Sequence, residues 1–165
     1  MKKITLLFAL FILAFTNVIA QEEYKIEVFG GIPTARAADI TTFSLGINAA
    51  YQYEVSDTFA TGISIGYYSS FGETINGIEL DNIQFFPIAA TLRLNLSKRF
   101  VLGGDIGYAI GVDDRANNGG FYYSPKLQLG LSDTIAIVGA FRGVIITIPE
   151  QSAFNIATLG LEFSF

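Results

Sequence analysis

The sequence predicts an all-β fold: eight antiparallel strands in up-and-down order, closed into a barrel that spans a membrane. Three observations carry this expectation. Beyond Tyr24 the dominant hydrophobic period is two rather than 3.6. The connections alternate between very short turns and longer loops rich in Gly, Pro, Asn and acidic residues. One strand face is wide and apolar, while the other is Gly, Ser, Ala and Thr with single charges. A soluble lipocalin-type barrel would put its apolar face inside, and this small-residued second face is a poor outer surface for such a protein. It suits the cramped interior of an eight-stranded barrel, which has room only for packed side chains. In a bilayer such a sheet must close, because an open edge leaves backbone groups unpaired in lipid.

The first element is a targeting segment. Lys2 and Lys3 precede an uncharged run from Ile4 to Ala20, whose strongly apolar part, Leu6 to Phe15, is short for a helical span of about 20 residues. Val18-Ile19-Ala20 supplies small or short residues before Gln21, so residues 1–20 are expected to be a cleavable signal peptide and residues 21–165 one barrel domain. No Cys follows the cleavage site, which argues against a lipid-anchored protein.

Strands are expected near 24–32, 40–54, 58–69, 82–96, 99–112, 120–132, 134–147 and 153–165. The alternation is plain in Phe43, Leu45, Ile47, Ala49, Tyr51 and Tyr53, and again in Phe100, Leu102, Gly104, Ile106, Tyr108, Ile110 and Val112. The short turns are Val55-Ser56-Asp57-Thr58, Leu96-Ser97-Lys98-Arg99 and Leu131-Ser132-Asp133-Thr134, and the longer loops lie near 33–39, 70–81, 113–119 and 148–152. Short turns at one end and longer loops at the other mark a meander whose ends face different surroundings. Pro87 and Pro125 fall inside strands, where each removes a ladder donor, so a bulge or register irregularity is expected there.

Aromatics on the apolar face gather at the strand ends. Tyr24, Tyr51, Tyr53, Phe59, Phe100, Phe163 and Phe165 fall at the short-turn end, and Phe43, Tyr67, Phe86, Tyr108, Phe121 and Tyr123 towards the long-loop end. Two such girdles are expected at the two membrane interfaces. The strand charges Glu27, Arg93, Asp105, Lys126, Arg142 and Glu162 take the opposite, lumenal parity, three acids against three bases. Arg or Lys on the lipid face would cost about 2–4 kcal/mol each at the midplane. Buried charges must pair, so a balanced internal ion network in one layer or two is expected.

The chain ends Leu159-Gly160-Leu161-Glu162-Phe163-Ser164-Phe165, a half-apolar strand finishing on an aromatic. With the architecture above, this terminus makes the chain resemble the small outer-membrane β-barrels of Gram-negative bacteria, the OmpX-like proteins and the transmembrane domain of OmpA, often grouped as a porin family. The resemblance implies export to the cell outer membrane and contact with outer-membrane lipid and lipopolysaccharide. It also implies insertion by the barrel-assembly machinery, with Leu159, Leu161, Phe163 and Phe165 as the C-terminal signal that machinery reads.

Composition narrows the function. The chain has 165 residues, no Cys and no His, with net charge −5. An acidic chain with no basic run is a poor nucleic-acid binder. Without His the commonest general base and metal ligand is missing, and enzymes among small outer-membrane barrels use a catalytic His. Asp39 and Asp113-Asp114-Arg115 lie in loops as ordinary solvated groups. The glycines of Leu102-Gly103-Gly104-Asp105-Ile106-Gly107 lack the following helix of a dinucleotide site, and Asn95-Leu96-Ser97 is a glycosylation match at a turn of a bacterial-type protein. No catalytic residue, cofactor or metal is expected. Acidic loop residues Asp39, Glu73, Glu79, Asp81, Asp113, Asp114 and Glu150 outnumber Arg36 and Arg115 and are candidates to bridge divalent cations with lipopolysaccharide phosphates. The favoured reading is a monomeric, non-enzymatic barrel with a structural or surface-interaction role and a side-chain-plugged lumen. The alternative is a narrow or gated porin-like channel for small or apolar solutes, helped by Gly103, Gly107 and Gly111 on the lumen side.

Overall fold

The computed structural model describes residues 22–75, 77–112, 118–146 and 152–165. The expected signal peptide, and the loop residues Asp113, Asp114, Arg115 and Glu150, lie outside them.

The chain runs β1 (Glu22–Thr34), a 3₁₀ turn (Ala35–Asp39), β2 (Thr41–Ser56), β3 (Phe59–Gly72), a small hairpin of β4 (Thr74–Ile75) and β5 (Ile78–Glu79), β6 (Ile83–Asn95), β7 (Phe100–Gly111), β8 (Gly120–Gly130), β9 (Ile135–Ile146) and β10 (Ser152–Ser164). Eight of these strands form one closed antiparallel barrel in the order β1-β10-β9-β8-β7-β6-β3-β2. Each barrel strand pairs with its neighbours in sequence, except that β1 closes onto β10 from Lys25↔Ser164 to Thr34↔Asn155. Mutual backbone bonds between Tyr24 and Phe165 extend this seam to the last residue.

Two of the short turns share one design. Leu96 and Ser97 both donate backbone N–H groups to Phe100 O, while Ser97 Oγ accepts from Phe100 N at 3.1 Å. Leu131 and Ser132 repeat this on Ile135, with Ser132 Oγ accepting from Ile135 N at 3.1 Å. The third turn differs despite its similar sequence: it tightens to Asp57-Thr58, with a register shift between Glu54 and Ser56.

Neither proline marks a bulge or a shift of register. The β3–β6 ladder keeps its register across Pro87 and omits only the Gly66–Pro87 and Tyr67–Phe86 rungs. The β8–β9 ladder likewise omits Ser124–Arg142 and Pro125–Phe141 and resumes in phase. A proline in a ladder costs a donor without forcing an extra residue into the strand, and each proline remains paired on its other side, with Ala109 and Gly104 respectively.

The outward face is mostly apolar. Ile32, Ile63 and Leu159 each leave more than 60% of their surface open, which suits hydrocarbon rather than water. The girdle residues Tyr24, Tyr67, Phe100, Tyr108 and Phe121 are exposed, and Tyr51, Tyr53, Phe59, Phe86 and Tyr123 are half-buried on the same face. Leu159, Leu161, Phe163 and Phe165 also face outward.

The interior departs from the sequence expectation. Its half nearer the long loops is packed with large aromatics rather than small residues. Phe29, Tyr68, Phe85, Tyr122 and Phe154 are buried there with Val144, Ile156 and Ala37 of the 3₁₀ turn. Ring centroids lie 6.3 Å apart for Phe29–Tyr68, 5.4 Å for Tyr68–Phe85 and 5.5 Å for Phe85–Phe154, a continuous aromatic column. Gly46 makes space for it, since a Cβ there would stand 2.4 Å from Phe29 Cζ and 2.6 Å from Tyr68 Cβ.

Candidate functional site

Strand parity carries the six predicted lumen charges inward, and all six are buried: Glu27, Arg93, Asp105, Lys126, Arg142 and Glu162. Five of them form one unbroken run. Arg142 Nη2 pairs with Glu27 Oε1. Glu27 Oε2 lies 3.0 Å from Lys126 Nζ, and Lys126 Nζ lies 2.9 Å from Asp105 Oδ2. Asp105 Oδ1 then accepts from Arg93 Nη1 at 3.0 Å. Glu27 stands on β1 and Lys126 on β8, strands that are not neighbours, so the run crosses the lumen instead of following the wall.

Neutral groups hold the run in place. Arg142 Nε donates to Thr158 Oγ1 at 3.2 Å and Nη1 donates to Tyr122 Oη at 3.2 Å. The Arg142 guanidinium lies over the Phe29 ring, 3.7 Å from its centroid, so the ion run and the aromatic column are one packed unit. At the other end Arg93 Nη1 also donates to Leu92 O at 2.9 Å, while Arg93 Nε and Nη2 find no partner among the described residues.

Glu162 stands outside the run. It accepts from Gln128 Nε2 and lies 3.7 Å from Lys25 Nζ, which also meets Glu23 at 3.0 Å. The expectation of one or two layers resolves as a five-member run plus this smaller group towards the short turns. Lys25 is a lumen-side residue that the sequence reading missed, although it sits two residues from Glu27 and shares its parity. Gln128, Tyr122 and Thr158 were missed as well, because an uncharged side chain gives no cue beyond parity.

The arrangement fills the bore with side chains. Charges meet across the bore, and aromatics pack the half above them. Among the described residues no group of three or more His, Cys, Asp and Glu is placed to hold a metal. Of the acidic loop residues, Asp39 and Asp81 are exposed and Glu73 is half-buried.

Adjacent glycines give a test of the packing. A Cβ on the inward Gly103 would stand 2.5 Å from Arg93 Cδ, whereas on the outward Gly104 it would meet nothing nearer than Ser124 O at 3.6 Å. Gly103→Ala is expected to cost about 1–3 kcal/mol by overpacking and Gly104→Ala far less, compared by urea unfolding of the refolded barrel.

Fold and lumen together define a small transmembrane β-barrel with a filled bore. The chain belongs to the outer membrane protein beta-barrel domain family, whose model matches residues 6–165. That membership places it among proteins of the bacterial outer membrane. Among solved structures it is similar to Ail of Yersinia pestis in a phospholipid nanodisc, with 16% identity over 88% of this chain and 100% of that one and a TM-score of 0.61. It is similar also to Neisserial surface protein A, with 7% identity over 88% and 99% of the two chains and a TM-score of 0.53. OprG of Pseudomonas aeruginosa shares 11% identity over 88% and 96%, with a TM-score of 0.50. At these identities the likeness is one of fold. No curated protein matches the sequence closely enough to be counted a relative.

Proposed function

We propose that this protein is a non-enzymatic, monomeric barrel that stiffens the outer membrane and presents its loops at the cell surface, with a lumen closed to solutes. The observation that carries this reading is the run Arg142–Glu27–Lys126–Asp105–Arg93 across the bore, beneath the aromatic column Phe29–Tyr68–Phe85–Phe154. Wide aqueous channels need about 16 strands, and this barrel has eight. One relative in fold is a surface protein by name, Neisserial surface protein A, and another is named the attachment invasion locus protein; the likeness carries no ligand across. The lack of any His in the chain supports a non-enzymatic role.

On this reading the outward residues Leu159, Leu161, Phe163 and Phe165 serve twice, as lipid-facing surface and as the signal for the assembly machinery. The girdle near the long loops lies in the lipopolysaccharide leaflet. The experiment is planar-bilayer conductance of the refolded barrel, with a boiled-versus-unboiled gel shift to establish folding. The expected result is a folded, silent protein. Reproducible discrete steps from folded protein would overturn the closed lumen and make the charge run a gate.

A further inference from the structure

The lipid-facing wall is not uniform. Over Gly104 it carries a groove of about 380 Å³, in the size range of ligand-binding clefts. Leu92 and Leu94 of β6, Leu102 and Ile106 of β7, and Tyr123 and Pro125 of β8 line it. The groove exists because Gly104 has no side chain: the nearest atoms to a Cβ there would be Ser124 O at 3.6 Å and Pro125 Cα at 3.8 Å. Its lining is almost wholly apolar, and its position on a membrane-spanning wall restricts the occupant to what a bilayer supplies.

Charge says which occupant. The β6 and β7 strands that line the groove are joined by the turn Leu96-Ser97-Lys98-Arg99, directly at its foot. Arg99 also anchors the end of β8, since Gly130 N donates to Arg99 O at 2.8 Å. Lys98 and Arg99 are exposed, and neither has an ion-pair partner among the described residues. The other two short turns present Asp57 and Asp133 instead, and Lys25 nearby is paired with Glu23. Lys98 and Arg99 are therefore the exposed cations of this end of the described barrel, and they sit beneath its glycine-floored groove.

The dimensions agree. From Gly104 to Arg99 the strand runs about 17 Å at roughly 3.4 Å per residue. With a strand tilt of about 35–45° that is a depth of about 12–14 Å, close to one leaflet of a hydrocarbon core about 30 Å thick. We propose that the Gly104 groove, Lys98 and Arg99 form a site for one anionic phospholipid of the periplasmic leaflet. An acyl chain lies along Leu102 to Ile106, and the phosphate is held at the turn.

The test uses the refolded full barrel in detergent, its folding established by gel shift. Phosphatidylglycerol and phosphatidylcholine of identical acyl chains are added in turn, and native mass spectrometry reads the bound fraction. Each basic residue near an anionic surface contributes a factor of about 5, so with two of them a preference for phosphatidylglycerol on the order of 25-fold is expected. Lys98→Gln with Arg99→Gln should bring the two lipids to parity without loss of folding. Gly104→Leu, which raises a side chain from the floor of the groove, should reduce retention of both. Equal retention of the two lipids by the native barrel, or an undiminished preference in the doubly neutralised variant, would overturn the proposal. So would unchanged retention in Gly104→Leu. A protein dimer that disappears in Gly104→Leu, with no lipid adduct, would instead assign the groove to a second copy of the chain.

Discussion

Arg142→Ala is expected to cost the refolded barrel about 3–5 kcal/mol, because it leaves the Glu27 carboxylate buried with half its charge compensation gone. The loss is compounded locally. Arg142 also donates to Thr158 and Tyr122 and covers the Phe29 ring, so its removal unpins the aromatic column as well. Arg36→Ala, on the exposed 3₁₀ turn, is expected to fall within about 0.5 kcal/mol of the native protein. Urea titration followed by gel mobility separates the two. Similar losses from both would show that the lumen run contributes no more than an exposed loop residue. A double-mutant cycle with Glu27→Leu sharpens the result. Lys126 keeps Asp105 as a partner when Glu27 is gone, so an Arg142–Glu27 coupling on the order of 1–3 kcal/mol is expected.

Phe85→Ala carries the second large effect. Phe85 is fully buried and is the central link between Tyr68 and Phe154. Truncating a buried Phe costs about 3–5 kcal/mol, part of it from the cavity left behind. The ion run still crosses the bore beneath it, so the variant is expected to lose stability and remain electrically silent. Conductance in Phe85→Ala would show that the aromatic column alone seals the bore.

The architecture was legible in the sequence because a membrane barrel writes its two faces in strict alternation. A single charge then fixes the phase of its whole strand. Glu27 sets the parity of β1, and Lys126 does the same for β8. Phe29 and Tyr122 stand at even offsets from these charges, so their inward direction was readable, as was that of Lys25. They escaped notice because an aromatic in a membrane strand is more readily assigned to an interface girdle. The pairing of the charges was not readable. Register is set between adjacent strands, whereas Glu27 meets Lys126 and Arg142 across the bore, where packing of Phe29 and Tyr122 decides the approach. Turn similarity misled in one place. Val55-Ser56-Asp57-Thr58 resembles the other two turns in residues, yet the register shift at Glu54–Ser56 gives it a tighter course.

The seam between β1 and β10 joins the two ends of the described chain, with Tyr24 and Phe165 bonded to each other. Every other barrel pairing can form between strands made one after the other. This one must wait for β10, and until then two strand edges stand open to any other partner. The closing seam is thus a temporal feature of the fold: of all the barrel's pairings it spans the greatest length of chain, so it is the one that turns an open sheet into a barrel.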